Sequence, residues 1–260
     1  MSVTGEGPGR EPVKVGAPVT DITAGILGAL GVVSALFQRE RTGRGSLVDT
    51  SLYEAGVVHT YWQSAIALAG GGSSGPLGSA HPLSAPYQAF RTSDGWINVG
   101  ASNEATWRRL LDALGRNDLG IDPRFSSNAH RMENLEDLVA VLSREFSSRG
   151  TDDWLTTLEV AGVPAGPVAS IGEMLEHPHT EDRGMVQKVR HTKLGTVRSL
   201  GSPLKFEEAA ADGDAAAATG RGAPLLGEHT REVLLEAGWS SDEVSKLAER
   251  GVVVDGRGQY

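Results

Sequence analysis

The run Ile22–Phe37, "ITAGILGALGVVSALF", is sixteen residues long without a charge, and a lone carboxylate, Asp21, stands at its mouth. Such a run leaves few folds open. Ile22, Ile26, Val33 and Phe37 recur at helical spacing. Gly25, Gly28, Ala29 and Gly31 keep the other faces thin, so that another backbone can approach. The run is shorter than the ~20 residues that a bilayer span asks for, so the pattern predicts a closely packed core helix rather than a membrane segment. Thr20 or Asp21 is the expected N-cap, offering an oxygen to free backbone N–H groups. Arg39 and Arg41 suit the far end, and Gly43 suits a left-handed C-terminal cap.

Asp21 therefore has two readings. An Asp before a helix is most often a cap. Yet the same N–H groups and the helix dipole favour an ionised carboxylate, and the ionised form is the nucleophilic one. Position alone does not separate the two.

Further along, "SLVDTSL" predicts a short strand leading into a helix at Glu54–Ala69. Gly70–Pro86 is a Gly/Pro/Ser-rich loop in which a change of domain is expected. Its "GGGSSG" has no strand–loop–helix context, so it reads as linker rather than as an anion-binding nest. Tyr87–Arg91 and Trp96–Gly100 read as two strands joined through Ser93-Asp94-Gly95. Helices follow at Glu104–Leu114, Glu133–Arg149 and Thr151–Ala161, with an apolar stripe of Leu135, Leu138, Val141, Leu142 and Phe146 on the second. "GVPAGPV" returns as an extended segment, Ile171–Glu176 is a short helix, and "LGTVRSLGSPLKF" is strand-rich. Ala209–Gly222 is a low-complexity connection, and a helix pair at Glu228–Ala237 and Ser241–Arg250 closes the chain. Trp96, Trp107 and Trp154 are expected in the core, and His81 on a loop.

Composition trims the function classes. A net charge of −9 argues against bulk binding to nucleic acid or anionic membranes. The absence of cysteine removes disulfide and thiolate chemistry and fits a reducing, cytoplasmic setting. The seven His are scattered with no HExxH, so no metal site is expected.

Several blocks resemble the family III CoA-transferases, a group that includes formyl-CoA transferases, carnitine CoA-transferase and the α-methylacyl-CoA racemases. They are "VGAPVTDITAGILGALGVVSALFQRERTGRGSLVDTSLYEA", "LGSAHPLSAPYQAFRTSDGWINVGASNEATWRRLLDALG", "DPRFSSNAHRMENLEDL", "WLTTLEVAGVPAGPV", "LGSPLKF" and "APLLGEHTREVL", and they run in family order across nearly the whole chain. In that family an Asp precedes the small-residue helix in a D-x-x-(T/A)-G segment. The resemblance thus implies that Asp21 is both cap and nucleophile, attacking an acyl-CoA thioester to pass through an aspartyl anhydride and an aspartyl-CoA thioester. It implies coenzyme A and acyl-CoA as substrates, with no permanently bound cofactor, a carboxylic acid as the second substrate, and an interlocked homodimer.

The departures carry as much weight. Some formyl-CoA transferases have a glycine lid just before the "PY" strand, where this chain has "GSAHPLSAPY". A lid-like, substrate-lining role is carried over to Gly78, Ser79, Ala80 and His81. The racemases place a Glu in the segment matching "GASNEATW"; here that position is Asn103, with Glu104 one step on, which favours transferase over racemase. Family members also carry roughly 150 residues before the Asp, building most of a Rossmann-like nucleotide-binding half whose ligands sit at strand ends. The resemblance therefore implies a C-terminal portion, with the CoA-binding residues mostly outside it and with two alternatives to a self-sufficient transferase: a racemase-like enzyme, or a half subunit completed by a separate N-terminal polypeptide. The expected fold is α/β, with an incomplete Rossmann-like large domain at 1–75, a linker at 76–86, a small α/β domain at 87–190 and a return to the large domain at 191–260.

Overall fold

The helix predicted from the uncharged run is the longest element, α1 (Val19–Thr42), and it ends at Gly43 in the left-handed conformation, with the Gly43 N–H bonded to Arg39 O. The computed structural model describes residues 2–7, 9–72, 75–205 and 220–256. Most of the Ala-rich connection expected at Ala209–Gly222 lies outside the described residues. The described chain is mixed α/β. It divides into two compact units, Met1–Val168 and Ala169–Tyr260.

The first unit begins with α1, α2 (Leu52–His59) and α3 (Tyr61–Leu68). Two expectations are corrected here. No strand forms at 46–51, because this segment packs along α1: a Cβ on Gly31 would meet Val48 Cγ1 at 2.6 Å, and one on Gly28 would meet Thr50 Cγ2 at 4.0 Å. The single helix expected at Glu54–Ala69 is two, broken at Thr60. The Thr60 hydroxyl donates to Val57 O at 2.8 Å and lies 2.7 Å from Ser64 Oγ, a local bond that competes with helical continuation. Gly28 and Gly31 are thus partly covered, whereas Gly25, Ala29 and the stripe Ile22, Ile26, Leu30, Val33 and Phe37 are exposed. By length and composition α1 could cross a bilayer; none of its residues is buried, so the closely packed core helix expected from the run is corrected to a helix that meets chain only along Gly28 and Gly31 on this face.

The core lies beyond the loop. A three-stranded antiparallel sheet, β1 (Tyr87–Arg91), β2 (Trp96–Gly100) and β3 (Ala165–Pro167), has β2 at its centre. Alternation along β2 sends Ile97 and Val99 inward and Trp96 and Asn98 outward. Trp96 is therefore half exposed rather than in the core, whereas Trp107 and Trp154 are buried as expected. Against the sheet pack α4 (Glu104–Leu114), α7 (Leu135–Phe146) and α8 (Thr151–Val160), with short helices α5 (Asp118–Ile121) and α6 (Asn128–Glu133) between. Leu110 and Leu111 of α4, Leu138, Leu142 and Phe146 of α7 and Leu158 of α8 fill the interior. Phe146 stacks on Phe90 at 4.9 Å and meets Trp154 edge-on at 5.2 Å, and the Trp154 indole N–H donates to Phe146 O.

One buried cation organises the edge of this core. Arg131 of α6 is fully buried and donates to Ala85 O at 2.7 Å, Phe125 O at 3.1 Å and Glu104 Oε1 at 2.7 Å, over the face of Trp107. A buried guanidinium survives only when its donors are met, and here they pin the end of the loop that enters β1.

The second unit carries α9 (Ile171–Glu176), α10 (Pro178–Asp182), the hairpin β4 (Val186–His191)–β5 (Gly195–Leu200), α11 (Thr230–Glu236) and α12 (Ser241–Glu249). Arg190 of β4 also pairs, in parallel, with Arg221.

Candidate active site

Asp21 is not the cap. The helix starts earlier than the sequence suggested, with Pro18 in the N-cap position and no side-chain cap bond; Asp21 lies in the first turn. Proline fits there because its missing N–H is one of the donors that no helix satisfies. The first intrahelical bond runs from Ile22 N to Pro18 O. The N–H groups of the turn holding Asp21 therefore precede the helical ladder, and the positive end of the α1 dipole falls at this carboxylate. Asp21 is exposed, and Thr20 Oγ1 donates to its Oδ2 at 3.2 Å.

The turn is anchored from behind. Two residues beyond Asp21, Thr23 Oγ1 lies 2.7 Å from Nε2 of His59, at the end of α2. A Cβ on Gly56 of α2 would meet Thr20 Cγ2 at 3.5 Å, so a small residue there lets the two helices close up beside the Asp21 turn.

Gly78–His81 forms a second, separate cluster. Gly78 takes a positive φ of 62° and donates its N–H to Gly5 O at 2.8 Å. Ser79 Oγ accepts from Ala89 N at 3.0 Å, Ala80 N donates to Leu77 O at 3.0 Å, and His81 N donates to Tyr87 O at 2.9 Å. The His81 ring stacks on Tyr87 at 5.2 Å and meets Trp62 of α3 edge-on at 4.6 Å. Tyr87 in turn lines a cleft of about 380 Å³ with Asn98, Gly100, Ser102, Pro164 and Ala165. Asp21 shares no hydrogen bond or ring contact with Gly78–His81 among the described residues. The two places are linked through neighbours on either side of the Thr60 break: His59 reaches Thr23, and Trp62 reaches His81.

His59, Trp62 and Tyr87 were not singled out in the sequence. Thr23 and His59 are 36 positions apart, and no local pattern announces their meeting.

Neither residue weighed for racemase chemistry offers a free carboxylate base. Asn103 is the N-cap of α4, its Oδ1 accepting from Thr106 N at 2.9 Å and Thr106 Oγ1 at 2.8 Å. Glu104 is held by Arg131, whose hydrogen bonds, against the opposing effect of burial and with a lesser contribution from its charge, draw the carboxyl below its usual value. A carboxylate so stabilised is a weaker base.

The residue match to known proteins is broad. The model of CoA-transferase family III matches residues 1–230. An acyl-CoA transferase of Fusarium pseudograminearum is 34% identical over 260 residues, which is 97% of this chain and 54% of that protein. The succinyl-CoA:glutarate CoA-transferase of Mus musculus is 30% identical over 254 residues, 97% of this chain and 57% of the relative. A solved CAIB/BAIF family protein from Brucella suis has a TM-score of 0.72 and 33% identity, covering 91% of this chain and 59% of its own. The chain spans about half the length of the curated relatives it matches.

Proposed function

Since this chain belongs to CoA-transferase family III, we propose that it carries the nucleophile of an enzyme that moves CoA from an acyl-CoA to a free carboxylic acid, with Asp21 as that nucleophile. The observation that carries the reading is the placement of Asp21: an exposed carboxylate in the first turn of α1, beside N–H groups outside the helical ladder.

The steps balance without redox change. An Asp21 carboxylate oxygen attacks the thioester carbonyl, the C–S bond breaks, and CoA leaves as thiolate; the product is a mixed anhydride. The thiolate attacks the Asp21 acyl carbon, releasing the donor acid and leaving an aspartyl-CoA thioester. The acceptor carboxylate attacks that thioester and expels thiolate, and the thiolate then attacks the acceptor acyl carbon. New acyl-CoA forms and the Asp21 carboxylate returns. Splitting one transfer into several exchanges at acyl carbon keeps each barrier low. Each tetrahedral oxyanion forms beside the N-terminal turn of α1, where backbone donors lower its energy. His59, through Thr23, fixes the turn. Gly78–His81 is assigned to the substrate-facing loop, with the His81–Tyr87 stack bordering the nearby cleft.

Names of relatives suggest dicarboxylates, with succinyl-CoA as donor and glutarate as acceptor. The reading takes residues 1–75 and 191–260 as parts of the large domain and 87–190 as the small one, in a cytoplasmic enzyme. It also takes the exposed stripe Ile22–Phe37 to be covered in the working enzyme, by a second copy in an interlocked homodimer or by a separate N-terminal polypeptide. A continuous apolar stripe of this length is a binding or aggregation surface when bare. The test is transfer of labelled CoA from succinyl-CoA to glutarate, compared with exchange of an α-proton in a branched acyl-CoA. Transfer without proton exchange supports the reading, and proton exchange alone replaces it with racemisation.

A further inference from the structure

The unit Ala169–Tyr260 contains a cleft of about 480 Å³ lined by Arg190, His191, Thr192, Arg221, Glu228 and His229, among others. Its arrangement is unusual for a solvated surface. Arg190 and Arg221 are partners across a parallel bridge, held by Arg190 N donating to Gly220 O and Gly222 N to Arg190 O, both at 2.7 Å. Residues paired in this way project from the same face, and like charges directly opposite are destabilising. Neither guanidinium has a carboxylate within ion-pair distance among the described residues.

Glu228, the one acid among the described residues that line the cleft, does not neutralise them. Glu228 accepts from the Thr192 hydroxyl and, at 2.7 Å, from Leu225 N. Those bonds, led by the one from Thr192, hold its carboxyl below the usual range. His191 is also oriented: its Nδ1 accepts from Lys193 N and Leu194 N, both at 3.1 Å. That fixes the tautomer, so Nε2 carries the proton and is a donor. His229 Nδ1 lies 3.3 Å from Glu232 Oε2. The cleft is thus lined by two arginines and by a histidine with a free donor nitrogen, around a space larger than a single small ion needs.

We propose that this cleft binds a phosphate-bearing ligand, with the phosphate oxygens between Arg190 and Arg221. Guanidinium forks match phosphate bidentately, and charge-assisted bonds to several oxygens offset the repulsion of the pair. A carboxylate offers only two oxygens to the same donors. Asp21 is not among the residues that line the cleft, and the proposal does not depend on the transfer mechanism.

The experiment is titration of the 260-residue chain, followed by calorimetry and by amide shifts, with inorganic phosphate, pyrophosphate, adenosine 3′,5′-bisphosphate and, as the carboxylate control, succinate. Saturable binding of at least one phosphate probe is expected, with shifts at 190–195 and 220–229. Arg190→Gln and Arg221→Gln should each weaken it by about tenfold or more. Lys188→Gln removes the same charge from the same strand outside the cleft lining and should leave binding unchanged. Tighter binding of the bisphosphate than of inorganic phosphate assigns the site to a nucleotide; equal binding assigns it to free phosphate. No saturation at millimolar probe, succinate binding as tight as the phosphates, or equal weakening by Lys188→Gln overturns the proposal. Both arginines are exposed, so the variants are expected to keep the fold, which circular dichroism checks.

Discussion

Thr23 Oγ1 and His59 Nε2 stand 2.7 Å apart, joining the first turns of α1 to the last residue of α2 two positions beyond Asp21. Thr23→Val keeps the shape and removes the bond, for a loss of about 0.5–1.5 kcal/mol. Faster amide exchange should be confined to the start of α1 and the end of α2. Unchanged exchange there would mean that the pair does not hold the turn.

Two glycines of α1 should respond with opposite signs. Gly25 has nothing within 4 Å of an added Cβ, so Gly25→Ala should stabilise by about 0.4–1 kcal/mol through helix propensity. At Gly31 the added methyl would stand 2.6 Å from Val48. Overpacking of about 1–3 kcal/mol then outweighs the propensity gain. Urea midpoints of the two variants, measured side by side, check the contrast.

The same helix shows what could and could not be read in the sequence. Its extent and its Gly43 cap follow from local chemistry, as do β1 and β2, whose bounds come from alternation around a Ser-Asp-Gly turn. Its start falls earlier than cap chemistry predicts, because Pro18 caps without a side-chain oxygen, which no N-cap preference ranks highly. The segment 46–51 looks like a strand because Val48 and Thr50 are β-branched, yet its neighbour is a glycine face of α1 and not another strand. Asp21 stood out by position, but its role came from family resemblance. The contacts His59–Thr23 and Trp62–His81 depend on the Thr60 break, a side-chain bond that competes with the backbone and leaves no periodic signal.

Arg131→Met should be among the costliest substitutions in the first unit. It leaves the buried Ala85 O and Phe125 O without that donor, and each buried acceptor left unmet costs about 1–3 kcal/mol. Glu104→Gln should cost much less, because that carboxylate is half exposed. Chemical denaturation tests the order; equal effects would contradict it.

Asp94 gives a pH signature. Its Oδ1 accepts from Thr151 N at 2.8 Å, Thr151 Oγ1 at 2.9 Å and Thr92 Oγ1 at 3.0 Å, so the β1–β2 turn caps α8, whose own N-cap Gly150 has no side chain to offer. These bonds, led by the Thr151 N–H, lower its pKa from the ordinary 3.8. A depressed folded value means that the stabilisation is present above the unfolded pKa and disappears as pH falls through the folded one. The melting temperature of the parent should exceed that of Asp94→Ala by a constant margin between about pH 5 and 8, and the margin should shrink below about pH 4. A margin that persisted well below that range would show that the carboxylate charge is not responsible.

The most direct measurement of the central claim is the site of the covalent intermediate. Residues 1–260 would be joined to the N-terminal portion of the succinyl-CoA:glutarate CoA-transferase relative, incubated with succinyl-CoA, and digested for peptide mass analysis, beside Asp21→Asn and Asp21→Ala. The account expects a CoA adduct, cleaved by hydroxylamine, on the peptide containing Asp21, with adduct and transfer both absent from the two variants while their folding is retained. An adduct on another residue, or near-normal transfer by Asp21→Asn, would contradict it.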